Sequence, residues 1–174
     1  SYKNKYIFGK SSSKEQTNFD VLIYIKPNEE ESITIPDNIE IIRPYLFENN
    51  EKLRTVEISI NSKLRIIECC VFMSAAIELI KPSSLEKICD YAFCKCKNLR
   101  LIIIPVDSKL KIIEKEAFSY TSIESIIIPQ HVKRIENSAF RYCYQLRRIE
   151  FSNNSELQFI GEYAFAFTNI ENIN

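Results

Sequence analysis

Glycine is scarce in this chain: two of 174 residues, Gly9 and Gly161. Phosphate-cradling loops of the GxGxxG or P-loop type need several glycines close together, so both are excluded. Tryptophan is absent, and there is one histidine, His131. A catalytic triad or a histidine metal cluster would rest on that residue alone. It stands between Gln130 and Val132 with no acidic neighbour in sequence, and reads as a surface side chain. Charge of one sign is missing too: 23 Lys+Arg against 23 Asp+Glu give zero net charge. The basic footprint of a nucleic-acid binder is therefore not present. No run of about 18 apolar residues occurs, so no direct membrane insertion is expected of this segment. The chain starts at Ser1 and stops mid-pattern at Asn174, which reads as a piece of a longer protein.

What the chain does have is a period. Phe47, Phe72, Phe93, Phe118, Phe140 and Phe165 are 25, 21, 25, 22 and 25 residues apart. An isoleucine stands five residues before each: Ile42, Ile67, Ile88, Ile113, Ile135 and Ile160. A small apolar residue directly precedes all but the first: Val71, Ala92, Ala117, Ala139 and Ala164. A period of roughly 20–50 residues marks a solenoid or array. Each unit of such an array contacts only its neighbours, which tells against a pocket-centred enzyme.

Each unit reads in three parts. A turn and a short aliphatic stretch come first, as in Leu110-Lys-Ile-Ile113. The Phe then sits in a polar, tyrosine-bearing segment too short for an isolated helix, read as a single helical turn. A strand-like run follows, such as Leu99-Arg-Leu-Ile-Ile-Ile104, on its β-branched content and short length. Phe to the next aliphatic is six residues in units one, three and five and five in the others, so the deeper repeat is a two-unit block. Residues 1–31 fall outside the repeat and 32–174 inside it. Lys10–Thr17 reads as loose. Val21–Ile25 reads as a strand, with Pro27–Glu31 turning it into Ser32–Ile35 as a capping hairpin.

Side chains alternate along a strand. The Leu and flanking Ile of each run then point inward, and the residues between them outward. Leu79, Leu101, Ile103 and Ile127 form an outward apolar patch, flanked by charged rungs at Glu57, Arg148 and Glu150. Apolar patches rimmed by polar residues mark interaction sites, so these are the partner-binding candidates.

Six cysteines invite a chemical reading. Cys96 and Cys143 occupy the same small slot that Asn50 fills in unit one, two units apart and beyond disulfide reach. Cys94 reads as exposed. A bond from Cys69 or Cys70 to Cys89 stays open on spacing. Cys94-Lys-Cys96 with Cys69-Cys70 is a poor imitation of a zinc site, which favours thiols packed as small hydrophobes. Glu68, Glu114 and Glu136 recur at one position and read as a solvated stripe. Asn153-Asn154-Ser155 is an N-glycosylation acceptor. No catalytic residue, metal site or cofactor is expected.

The pattern from Leu85 to Pro105, with Ile88, Ala92, Phe93, Cys96, Leu99, Ile102 and Ile104, resembles the BspA-like class of leucine-rich repeats. Phe140, Cys143 and Leu146 repeat it, and the resemblance covers roughly residues 33–173. The glycine usual in that class after the aliphatic stretch survives only at Gly161; Arg43, Glu68, Cys89, Glu114 and Glu136 replace it elsewhere. The resemblance implies an α/β leucine-rich-repeat solenoid of about six units with an N-terminal hairpin cap. It further implies a non-enzymatic module of a cell-surface or secreted adhesion protein, contacting host matrix or other cells. Thiols without clear pairing favour the alternative, a cytoplasmic adaptor for protein–protein interaction.

Overall fold

The computed structural model describes residues 6–9, 21–25 and 30–173. The segment Lys10–Thr17 and most of the Pro27–Glu31 turn lie outside the described residues. The chain winds as a parallel solenoid in which each unit contributes two strands rather than one. The stretch read as turn and aliphatic run is itself a strand: Ile41–Ile42, Ile66–Ile67, Lys87–Ile88, Ile112–Ile113, Arg134–Ile135 and Phe159–Ile160 pair in parallel along one face. The opposite face carries Ser32–Ile35, Thr55–Ile58, Leu79–Ile80 and Leu101–Ile102 as one sheet. Ser125–Ile128, Arg148–Phe151 and Asn172–Ile173 form a second sheet there. Between the two, Glu124 N still donates to Arg100 O at 3.3 Å.

The capping hairpin differs from its sequence reading. Val21–Ile25 does not pair with Ser32–Ile35, because the two belong to opposite faces of the core. Val21–Ile25 pairs antiparallel with Tyr6–Gly9 and parallel with Ile41–Ile42. Ser32–Ile35 instead heads the other face, in register with Thr55–Ile58. Leu22 from one face and Ile33 from the other are both buried in the same core.

The phenylalanine ladder forms its axis. Successive rings stack at centroid distances of 5.1, 5.3, 5.1, 5.1 and 5.2 Å, with interplanar angles of 11° or less. That spacing is close to the separation of hydrogen-bonded strands, so one ring fits each rung. Ile42, Ile67, Ile88, Ile113 and Ile135 line one side of the ladder and Leu53, Ile77, Leu99, Ile123 and Leu146 the other, all fully buried.

No helix occurs among the described residues, which corrects the α/β reading and its single helical turn. The backbone shows why. The residues two before and two after every ladder Phe have positive φ: Tyr45 and Asn49, Cys70 and Ser74, Tyr91 and Lys95, Glu116 and Tyr120, Ser138 and Tyr142, Tyr163 and Phe167. A right-handed helix cannot contain such residues. Their effect is to aim alternate amides out of the turn. Tyr91 N, Phe93 N and Lys95 N donate to Lys115 O, Ala117 O and Ser119 O of the next rung, while Cys94 N and Cys96 N close local turns onto Tyr91 O and Phe93 O. The turns thereby become a third hydrogen-bonded column beside the two strand columns.

Left-handed geometry costs a non-glycine residue about 1–2 kcal/mol. Lys95 is exposed and holds φ 60°. Lys95→Gly should therefore stabilise the fold by about 0.5–1 kcal/mol after its own chain-entropy cost. A raised urea midpoint with unchanged slope is the expected readout; an unchanged or lowered midpoint would show that this turn is unstrained.

Candidate functional site

The outward columns of the strand face carry the predicted patch. Register places Thr55 opposite Leu79, and Leu79 opposite Leu101. Ile103 follows directly, its amide donating to Ile80 O at 3.1 Å. Ile127 lies in the second sheet, opposite Glu150, and Arg148 lies opposite Ser125. Leu101, Ile103 and Ile127 are 40%, 44% and 43% exposed, while Leu79 is half-buried. The four residues are thus not one continuous row: the break between the sheets runs between Ile103 and Ile127. At the N-terminal flank Thr34 donates to Glu57 Oε2 at 2.8 Å. At the C-terminal flank Arg148 and Glu150 stand 3.8 Å apart.

The cysteines serve packing. Cys96 Sγ donates to Phe72 O at 2.8 Å and Cys143 Sγ to Phe118 O at 3.1 Å, so each thiol caps the ladder carbonyl of the preceding rung. Cys94 is buried, contrary to the sequence reading, because the alternating turn directs it inward. All six cysteines are free in the structure. Burial pushes the Cys89 thiol up to about 12, the Cys94 and Cys143 thiols up to about 11, and Cys96 upward as well. Thiolate is the reactive form, so raised values mean slow reaction. Ellman's reagent at mildly alkaline pH should leave these four unmodified in the native protein and reach all six after unfolding. Rapid native modification of Cys96, located by peptide mass, would show that the slot is open.

The recurring carboxylates are not a freely solvated stripe. Glu114 is half-buried, accepting from Lys87 Nζ at 2.8 Å and from Asp90 N at 3.2 Å. Glu136 accepts from Arg134 Nε at 2.6 Å. His131 also has an acidic partner, supplied by the next rung: its Nδ1 lies 2.7 Å from Glu156 Oε1. The hydrogen bond to His131, aided by Lys133, holds the Glu156 carboxyl below its ordinary value. Asn153, the sequon asparagine, is exposed in a turn. Among the described residues no group of three His, Cys, Asp or Glu could hold a metal ion. No helix of the described residues is long and apolar enough to cross a membrane.

Sequence reasoning missed one surface. At the position two after the ladder Phe, the last three units carry Tyr120, Tyr142 and Phe167. These rings form a second stack, with centroids 4.4 and 4.7 Å apart, outside the core. The column Asn49, Ser74, Lys95, Tyr120, Tyr142, Phe167 was readable once the Phe period was aligned.

Two parallel strand faces around a stacked aromatic and aliphatic core define a β-solenoid of leucine-rich type, about six turns long. The sequence matches the BspA type Leucine rich repeat region in 6 copies, over residues 24–105 and 66–174. The chain belongs to that family. Solved structures with similar folds come from several bacteria. The pneumococcal vaccine antigen PcpA shares 22% identity at TM-score 0.54, over 87% of this chain and 54% of that one. A leucine-rich repeat protein from Bacteroides ovatus shares 18% at TM-score 0.58, over 96% and 56%. A leucine rich cell surface protein from Faecalibacterium prausnitzii shares 22% at TM-score 0.53, over 88% and 54%. The chain spans about half the length of these structures. No curated protein matches it.

Proposed function

We propose that residues 32–174 are a non-enzymatic protein-binding module, headed by residues 1–31, within a surface-exposed adhesion protein. The carrying observation is the exposure of Leu101, Ile103 and Ile127 along the strand face between charged flanks. Isolated exposed apolar residues are ordinary, but three on two adjacent rungs, set either side of the break between the sheets, form a patch with a polar rim, the usual anatomy of an interaction site. The surface location is favoured by the pneumococcal antigen and cell-surface protein among the similar folds, and by the exposed Asn153 sequon. Host matrix or another cell is the partner that best fits such a location.

Replacing both Ile103 and Ile127 with Lys should lower adhesion to immobilised matrix proteins and epithelial cells roughly tenfold or more, with melting unchanged. Unchanged adhesion with an intact fold would remove the patch from consideration. The six free thiols favour a second reading, a cytoplasmic adaptor on the same scaffold. Protease shaving of intact cells decides between them, since only a surface protein is cleaved.

A further inference from the structure

The outer aromatic stack surrounds one cation. Arg141, directly after the ladder Phe of its unit, lays its guanidinium 4.5 Å from the Tyr142 ring centroid, 5.3 Å from Tyr163 and 5.6 Å from Phe167. Its Nη2 donates to Tyr142 Oη at 2.9 Å. Its Nε is buried without a hydrogen-bond partner. Arg65, Arg134, Arg147 and Arg148 each pair with a glutamate, whereas no carboxylate pairs with Arg141 among the described residues. Tyr163 and Phe167 are more than half exposed around it, as is Tyr144, whose ring lies 5.9 Å from that of Tyr142. A fixed, partly desolvated guanidinium with no counter-charge, set among exposed rings, has the composition of an interface hot spot, where Tyr and Arg are enriched. Stacking holds the planar fork in place, so less freedom is lost when it binds a carboxylate.

We propose that this ridge is a second binding surface, taking an extended segment of a partner protein that carries a carboxylate beside an apolar or aromatic side chain. The carboxylate pairs with the free edge of Arg141, and the neighbouring side chain lies on Tyr144 and Phe167. A lone guanidinium suits a single carboxylate better than a polysulfated chain, whose affinity grows with the number of cations engaged. The ridge comes from the turn column and the Ile103–Ile127 patch from a strand column, so the two surfaces can fail separately.

A phage-displayed random peptide library, selected on the whole chain, tests the proposal. Selected peptides should be enriched in Asp and Glu next to apolar residues. Their affinity should drop at least about tenfold in Arg141→Gln and in Tyr144→Ala, weaken as salt rises, and survive Ile103→Lys. Arg141→Glu should turn the selection towards basic peptides. Tyr144 is exposed, so its variant decides the matter if the Arg141 variants lose their melting transition. The proposal is overturned if no peptide is enriched, if enriched peptides lack acidic residues, or if they bind Arg141→Gln as well as the original protein. Heparin binding in place of peptide binding, or a concentration-dependent dimer abolished by Tyr144→Ala, overturns it equally.

Discussion

Phe93→Ala should cost about 3–5 kcal/mol of folding stability, read as a shifted urea midpoint. Phe93 is fully buried and stacked on both sides, 5.3 Å from Phe72 and 5.1 Å from Phe118. Removing the ring leaves a cavity between two rings that cannot close together, because their rungs are held by strand pairing on either side. Lys87–Ile88 and Leu101–Ile102 both remain hydrogen-bonded to the preceding rung. Phe165, stacked on one side only and partly buried, should lose less when truncated to Ala. Equal costs at both positions would mean that the ladder is not what joins the rungs.

Gly161→Ala should be the second large effect, about 1–3 kcal/mol of destabilisation through overpacking. A Cβ at Gly161 would lie 2.4 Å from Asn137 N and 2.7 Å from Glu136 C, both backbone atoms that cannot step aside. It would also lie 2.5 Å from Asn137 Oδ1, which accepts the Glu162 amide at 2.9 Å. The substitution therefore strains the rung contact and the side-chain bridge together. A thermal melt of Gly161→Ala with the original midpoint would show that the last two rungs can part without cost.

Much of this was legible in the sequence. The Phe period, the inward Leu and Ile positions and the slot holding Cys96 and Cys143 follow from spacing alone; the structure buries them in the middle rungs, while Ile160 and Ile173 of the last unit are exposed. The second strand of every unit was not legible. Pairs such as Ile112-Ile113 are too short to show alternation, and only their partners one rung away make them strands. The turn conformation was hidden for another reason. Of its twelve left-handed positions only Asn49 is of the Gly or Asn type that would announce them; the others hold Tyr, Cys, Ser, Lys, Glu and Phe. The partner of His131 was missed because Glu156 lies 25 residues on, adjacent only after the chain has completed a turn. The Leu79–Ile127 patch was legible as outward positions, but the break dividing it was not.

The regular spacing of the ladder bears on how the chain folds. Each new rung is joined by closing a loop of 21 to 25 residues, whichever rung it is. The entropy of closing such loops differs by only roughly 0.2 kcal/mol across that range. No rung is favoured as the starting point by its loop length, and none waits on a distant part of the chain. Side-chain packing alone then chooses the nucleus, and growth from it proceeds in nearly equal steps in both directions.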